Sequence, residues 1–308
     1  MTDLRLEQEE IEISKKDKLT KYKEKGLKIF FLLNGILAII VLAGIFYLLL
    51  SEGLPTFEEV SIREFFTSFR WNPTSRNPGY GILSLVISTL AVTIGALLFS
   101  VPVGIAAAAY LAEVARPKER EILKPVIEIL ASIPSVVIGF LGIVLLGPII
   151  ARTFGLSNGL NVINGSILLG VMALPTIISI SEDAISAVPK EYKEASLALG
   201  TNRWHTLVKV TIPAALSGIT AAIMLGMGRA IGETMAVLMA TGNAPAVPRS
   251  IFSSIRTMTA TIAIELGEVP FNTTHYHSLF AIGAVLFVMT FLVNLVSDLV
   301  LHKYGEGE

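Results

Sequence analysis

The sequence predicts an all-α integral membrane protein with six transmembrane helices. Three observations carry this: an apolar composition, six apolar runs of spanning length, and a one-sided distribution of Lys and Arg between them. Hydrophobic residues make up 53% of the 308 and charged residues 16%, with a mean hydropathy of +0.68. Ordinary soluble domains are less apolar and more charged. The absence of cysteine excludes disulfides, thiol nucleophiles and Cys-ligated metals.

The first run, 27–50, is long enough to cross ~30 Å of hydrocarbon. It follows a lysine-rich segment (1–28) and lacks a small-residue cleavage site, so it reads as a retained span. The polar stretch 51–79 carries Pro55, Pro73 and Pro78. Its Phe65, Phe66, Phe69 and Trp71 suggest an amphipathic piece at the membrane interface. The second span, 80–112, is rich in Gly, Ala and Ser, which let helix backbones approach closely. A charged loop, EVARPKEREILK (113–124), leads to a third span at about 125–150. Its SIPSVVIGFLG (132–142) sets Pro134 and two glycines in the helix, a hinge or a packing kink that neighbours must satisfy. The fourth span is read at about 165–181, the fifth at about 207–241 and the sixth at 276–301. The long loop 242–275 contains TMTATIAIELGE (257–268), read as a short re-entrant or interfacial helix.

Lys and Arg decide the orientation. With the N-terminus inside, the inner segments, with Lys209 at the mouth of the fifth span, hold 17. The outer loops hold 6, and Arg229 inside the fifth span is the remaining one of 24. Basic flanks stay inside, so both termini are expected in the cytoplasm, together with segment 182–205. The expected division is a cytoplasmic segment 1–28, a first span with outer loop 29–79, a permease core 80–301 and a tail 302–308.

Catalytic motifs do not appear. There is no GxxxxGK[ST] phosphate loop, HExxH or GxSxG. Four scattered histidines do not make a zinc site, and the basic residues serve topology, not nucleic acid. Two features stand out. The first is a short polar helix near 190–198, a glycine turn at Gly200, and a second helix entering the membrane. The small residues 195, 196 and 198 leave a shallow surface for another protein, although an ordinary amphipathic loop helix has the same pattern. The second is Arg229 and Glu233, which a continuous helix would place on one face. Intramembrane charges usually line a path or pair with each other, and the arginine fork suits phosphate oxygens. An intrahelical salt bridge, a contact with a neighbouring subunit, a snorkelling arginine and an anion pathway with Thr234 beside it all remain open.

The stretch Glu194, Ala195, Ser196, Gly200, Val210, Ile212, Pro213 resembles the Glu-Ala-Ala-x3-Gly-x9-Ile-x-Leu-Pro signature of membrane subunits of binding-protein-dependent ABC importers. The spacing is intact; serine replaces the second alanine, and Val and Ile replace Ile and Leu. GMGRAIGETMAVLMATGN (226–243), IPSVVIGFLG (133–142), TMTATIAIELGE (257–268) and ISISEDAISAVPKEYKEASLALGTNRW (178–204) are similar to PstC-type phosphate permeases, and together the matches span most of 60–301. The resemblance implies a type I importer (MetI-like) permease fold in a cell (inner) membrane, working by alternating access. It implies that Glu194, Ala195, Ser196 and Gly200 belong to a coupling helix, within about 185–205, that docks on an ATPase. The implied partners are a PstA-type membrane subunit, an ATP-binding subunit dimer, an extracytoplasmic phosphate-binding protein and the lipid bilayer. No cofactor is implied in this chain, because ATP and Mg would sit on the ATPase. A permease for another oxyanion or solute, and an ATPase-independent channel or secondary transporter, are the alternatives.

Among the remaining polar residues, Glu182 and Asp183 read as caps or subunit contacts, and Thr257, Thr259 and Thr261 as hydroxyls open to an anion. Glu265 and Glu268 read as outer-loop carboxylates open to a binding-protein contact, His275 and His277 as interface anchors, and Asp298 as interfacial.

Overall fold

A computed structural model describes the backbone of residues 2–305 and the side chains of residues 24–296 and Leu299. The side chains of the lysine-rich segment up to residue 23, and Asp298, lie outside the described residues. The chain divides into two units, Met1–Ser51 and Glu52–Glu308.

The first unit is most of α1 (Thr2–Gly53). Its apolar side chains, Phe30, Phe31, Ile39 and Tyr47 among them, are exposed. A helix bathed in lipid shows its apolar surface in this way.

The second unit begins with two short helices, α2 (Thr56–Glu59) and α3 (Ile62–Thr67), and a two-stranded hairpin. In the hairpin β1 (Trp71–Asn72) pairs antiparallel with β2 (Gly79–Tyr80), Trp71 opposite Tyr80. Helix α4 (Leu83–Ala109) ends in a π-helical turn, Tyr110–Val114. Then come α5 (Pro117–Ser132), α6 (Ser135–Leu141), a π turn Gly142–Leu146 and α7 (Gly147–Phe154). Helix α8 (Val162–Ala187) precedes the short helices α9 (Lys190–Ala198) and α10 (Arg203–Thr206). A π turn, Leu207–Thr211, leads through α11 (Ile212–Ala214) to α12 (Leu216–Gly232). Helices α13 (Met235–Ala240), α14 (Met258–Glu265) and α15 (Thr274–Gly305) complete the chain.

Among the described residues, five helices are long and apolar enough to span a membrane: Glu24–Glu59, Leu83–Val114, Ser135–Phe154, Val162–Ala187 and Thr274–Val296. The bent pair Arg203–Ala214 and Leu216–Gly232 supplies a sixth when taken as one span. The helical architecture is the one expected, but two expected spans are not single helices. The third is cut at Ser132–Pro134, because Pro134 has no N–H to donate and bars the residue before it from helical geometry. Residues 125–132 therefore belong to α5, which starts back at Pro117. The fifth bends by 70° between Ala214 and Leu216, stops at Gly232, and resumes after Glu233 and Thr234 as α13.

Helices α4, α8 and α12 form the centre, with α8 the most enclosed of the spans. Lipid is as apolar as leucine, so close contact holds such helices together more than exclusion of water does. The sequence supplies small residues where they cross. A Cβ on Gly104 would lie 2.7 Å from Ile177, and one on Gly226 would lie 2.9 Å from the same side chain. Ser166 Oγ donates to the Val92 carbonyl at 3.3 Å across the α4–α8 contact.

A separate cluster gathers Phe65, Trp71, Ile82, Leu85, Met258, Leu279 and Ile282. This corrects the interfacial reading of the aromatic loop, since Phe65 and Trp71 are buried and only Phe66 and Phe69 stay exposed.

Candidate gate and docking site

The break after α12 holds the first group of candidate residues. Arg229 occupies the last turn of α12, where a cation suits the negative end of the helix dipole, and its side chain is exposed. Glu233 follows the helix in extended geometry, φ −68° and ψ 131°. The helical spacing expected to pair the two residues therefore does not exist. Among the described residues no ion pair joins them. Instead Glu233 Oε1 accepts the Ala236 N–H at 3.3 Å at the start of α13. Thr234, half-buried, lies between the two helices, its hydroxyl 3.4 Å from the Gly232 carbonyl.

Breaking a helix frees backbone groups that need partners. The Glu233 carbonyl takes its hydrogen bond from Thr259 Oγ1 at 2.8 Å. A threonine hydroxyl has one proton, so Thr257 Oγ1, 3.0 Å away, donates to Thr259. Thr257 Oγ1 also accepts from the Ala260 N–H and so caps α14. Next to it the Met258 N–H donates to Thr89 Oγ1 of α4 at 3.1 Å. Thr261 donates to the Thr257 carbonyl at 2.8 Å. The three threonines are bonded among themselves and to this break. Thr89 was not singled out in the sequence, and only its α4 position within a Ser/Thr-rich run hinted at it.

The other end of α14 is clamped. Glu265, largely buried, accepts Trp71 Nε1–H at 3.1 Å to each carboxylate oxygen. It pairs with Arg256 Nη1 at 2.7 Å and with His275 Nε2 at 2.8 Å. Arg256 also donates from Nε to the Asn243 carbonyl at 2.9 Å. Glu265 is thus the hub of a clamp and not an open surface carboxylate, whereas Glu268 is exposed. His277 is spent on the Glu52 carbonyl, 2.7 Å away, and on Asn272. Among the described residues no group of His, Asp and Glu is arranged to hold a metal.

The second group of candidate residues lies on α9, which forms where expected. Gly200 takes φ +84°, a left-handed conformation that glycine adopts without Cβ strain. Glu194 and Ala195 are exposed. Ser196 is buried, so it does not share the expected docking surface. Its hydroxyl instead joins a triangle with Thr201 at 2.8 Å and Thr206 at 3.0 Å. Thr201 Oγ1 also donates to the Ser196 carbonyl at 2.7 Å. The triangle ties α9 to α10. Lys193 pairs with Glu113 at 2.5 Å. Beside it a cavity of about 490 Å³ is lined by Glu113, Lys193, Leu197, Arg203 and Trp204. Tyr192, Leu199 and Trp204 are exposed on the same segment.

Glu182 of α8 is buried and pairs with Arg120 and with Lys124 of α5, the latter at 2.7 Å. Lys124 also reaches the exposed Asp183 at 3.4 Å. The hydrogen bond to Glu182 raises the Lys124 pKa above its ordinary value, outweighing the opposing effect of burial. These acidic residues serve contacts within the chain.

Comparison with known proteins agrees with this architecture. Residues 100–304 match the family described as "Binding-protein-dependent transport system inner membrane component". The protein named "Probable ABC transporter permease protein YqgH" of Bacillus subtilis (strain 168) is 43% identical over 247 residues, 80% of each chain. The phosphate transport system permease protein PstC of Mesorhizobium japonicum is 33% identical over 291 residues, 87% of each chain. Among solved structures, a bacterial ABC transporter involved in import of the acidic polysaccharide alginate aligns with TM-score 0.60 at 14% identity. That alignment covers 91% of this chain and 98% of the other. The MetNI methionine ABC transporter aligns with TM-score 0.56 at 20% identity, covering 72% and 97%. Family match, relatives and fold agree, and the chain belongs to the binding-protein-dependent transport system inner membrane component family.

Proposed function

We propose that this chain is the membrane-spanning permease subunit of an ATP-driven phosphate importer, with its anion gate at Arg229, Glu233 and Thr234. The observation that carries the gate is an exposed guanidinium in the last turn of α12, unpaired with Glu233, beside a break in the span. A broken helix at membrane depth is tolerated where it is buried in protein or lines a cavity. An arginine there keeps its charge and offers a planar fork to an oxyanion. The Glu233 carboxylate nearby limits how tightly an anion is held, so that it can leave. The PstC-type relative, a phosphate transport permease by name, supports phosphate as the cargo.

Coupling is assigned to α9. Glu194 and Ala195 present the surface, Ser196 anchors it from beneath, and Gly200 turns the chain back. An ATP-binding subunit dimer docks there, holding ATP and Mg, and its closure moves α9. A PstA-type subunit completes the pathway, and an extracytoplasmic phosphate-binding protein delivers the cargo. The 17-to-6 distribution of Lys and Arg supports both termini, and α9, on the cytoplasmic side. The outlines 1–28, 29–79, 80–301 and 302–308 remain our division of the chain by role.

The test is ATP-driven uptake of labelled phosphate by the reconstituted complex, wild type beside Arg229→Gln and Glu233→Gln. Loss of uptake with assembly and ATP hydrolysis retained is expected. Normal uptake in both variants removes the gate from these residues.

A further inference from the structure

Helix α14 is bonded at both ends to different parts of the molecule. At its start, Thr259 holds the Glu233 carbonyl and Met258 N–H is held by Thr89. At its end, Glu265 is gripped by Trp71, Arg256 and His275. Its eight residues span about 12 Å at ~1.5 Å each. Residues 258–261 are buried, so the helix has little room to tilt without moving its neighbours. A cavity of about 510 Å³ opens on the clamp, with Trp71, Arg256, Glu265 and His275 in its wall. The clamp is therefore reachable from outside the bundle.

We propose that α14 is a strut and that Glu265 is a positioning residue for the gate, holding the Glu233 break in its present geometry through Thr259. The proposal rests on the reading of that break as the gate. Glu265 touches no cargo. It fixes the far end of a short rigid helix whose near end supplies the Thr259 hydroxyl bonded to the Glu233 carbonyl. Releasing the clamp lets α14 shift, and the break then loses its satisfied carbonyl. A carbonyl left without a partner recruits water, and Thr234 beside it, already half-exposed, becomes more accessible.

The chain has no cysteine, so Thr234→Cys places a single thiol on it at the break. In the assembled complex in lipid nanodiscs, where both faces meet reagent, the probe is a membrane-impermeant maleimide, with labelling read on this chain by mass. Thr259→Val and Glu265→Gln are each expected to speed labelling at least threefold. The double variant is expected to be no faster than the faster single one, since one strut is cut at either end. Trp71→Phe removes one donor to Glu265 and is expected to give a smaller rise. An unchanged rate in Glu265→Gln overturns the strut, as do rates that multiply in the double variant. If Glu265→Gln does not assemble, Trp71→Phe decides alone, and no rise there overturns it. Failure of the gate reading looks different: phosphate uptake stays normal in Arg229→Gln and Glu233→Gln, whatever the labelling does.

Discussion

Glu182 and Lys124 meet at 2.7 Å across the α8–α5 contact, with the glutamate side chain 1% exposed and the lysine side chain 34% exposed. Arg120 completes the pair from one turn away on α5. Breaking a wholly buried ion pair costs ~3–5 kcal/mol. The half-exposed cations reduce this, so Glu182→Gln is expected to cost about 1–3 kcal/mol, with Arg120 and Lys124 left to water. A lowered thermal midpoint of the assembled complex measures it. The raised pKa of Lys124 sets the pH sense. Its stabilisation is fully present below the ordinary lysine value of ~10.4 and is lost as pH rises through the higher folded value. A wild-type midpoint that falls above that range, more than in Glu182→Gln, is the expected signature.

Ser196 and its two threonine partners predict a different loss. Removing one neutral buried hydroxyl costs about 0.5–1.5 kcal/mol. Ser196→Ala is expected to keep phosphate uptake near wild type, because alanine fits the space and the Thr201–Thr206 contact at 3.0 Å survives. Ser196→Leu is expected to lift α9 off α10 and uncouple ATP hydrolysis from uptake. Measuring both rates in the same liposomes separates the two variants.

Gly200 carries the turn that sends the chain from α9 towards α10. At φ +84° a Cβ costs roughly 1–2 kcal/mol, although nothing crowds the position. Gly200→Ala is therefore expected to weaken coupling through backbone strain alone. Gly200→Asn, a residue that tolerates this region better, is expected to restore part of it. Equal defects in both variants would mean that a surface contact is at fault, with strain playing no part.

How far the sequence speaks depends on the range of the interaction. Helix α9 and its turn were legible because a local signature and one glycine define them. The spans were legible because bilayer thickness sets their length. The break at Glu233 was not, since Ala230, Ile231, Met235 and Ala236 continue a helix well. Gly232, two residues before Thr234, was the only stop signal. The break is held open by Thr259, 26 residues on, and no window on the sequence contains both. Trp71 misled for the same reason. A tryptophan in a polar loop reads as an interface anchor, but its partner Glu265 is 194 residues away. The hairpin Trp71–Asn72/Gly79–Tyr80 is too short to stand alone and exists where that partner pins it.

Arg229 gives the sharpest prediction, because charge and shape can be varied separately. Arg229→Lys keeps the charge and loses the planar fork; Arg229→Gln keeps polarity and loses the charge. A charge-assisted hydrogen bond contributes about 1.5–3 kcal/mol, which is roughly ten- to hundredfold in rate. Uptake by Arg229→Lys is expected to fall about tenfold, and by Arg229→Gln about a hundredfold, with ATP hydrolysis retained in both. Initial rates across a range of phosphate concentrations measure it in the reconstituted complex. Equal losses would show that the fork matters and the charge does not. Full activity in Arg229→Lys and loss in Arg229→Gln would make the residue an electrostatic guide without bidentate contact. Wild-type rates in both would leave Arg229 a snorkelling side chain at the end of α12, and the anion path would run elsewhere in the bundle.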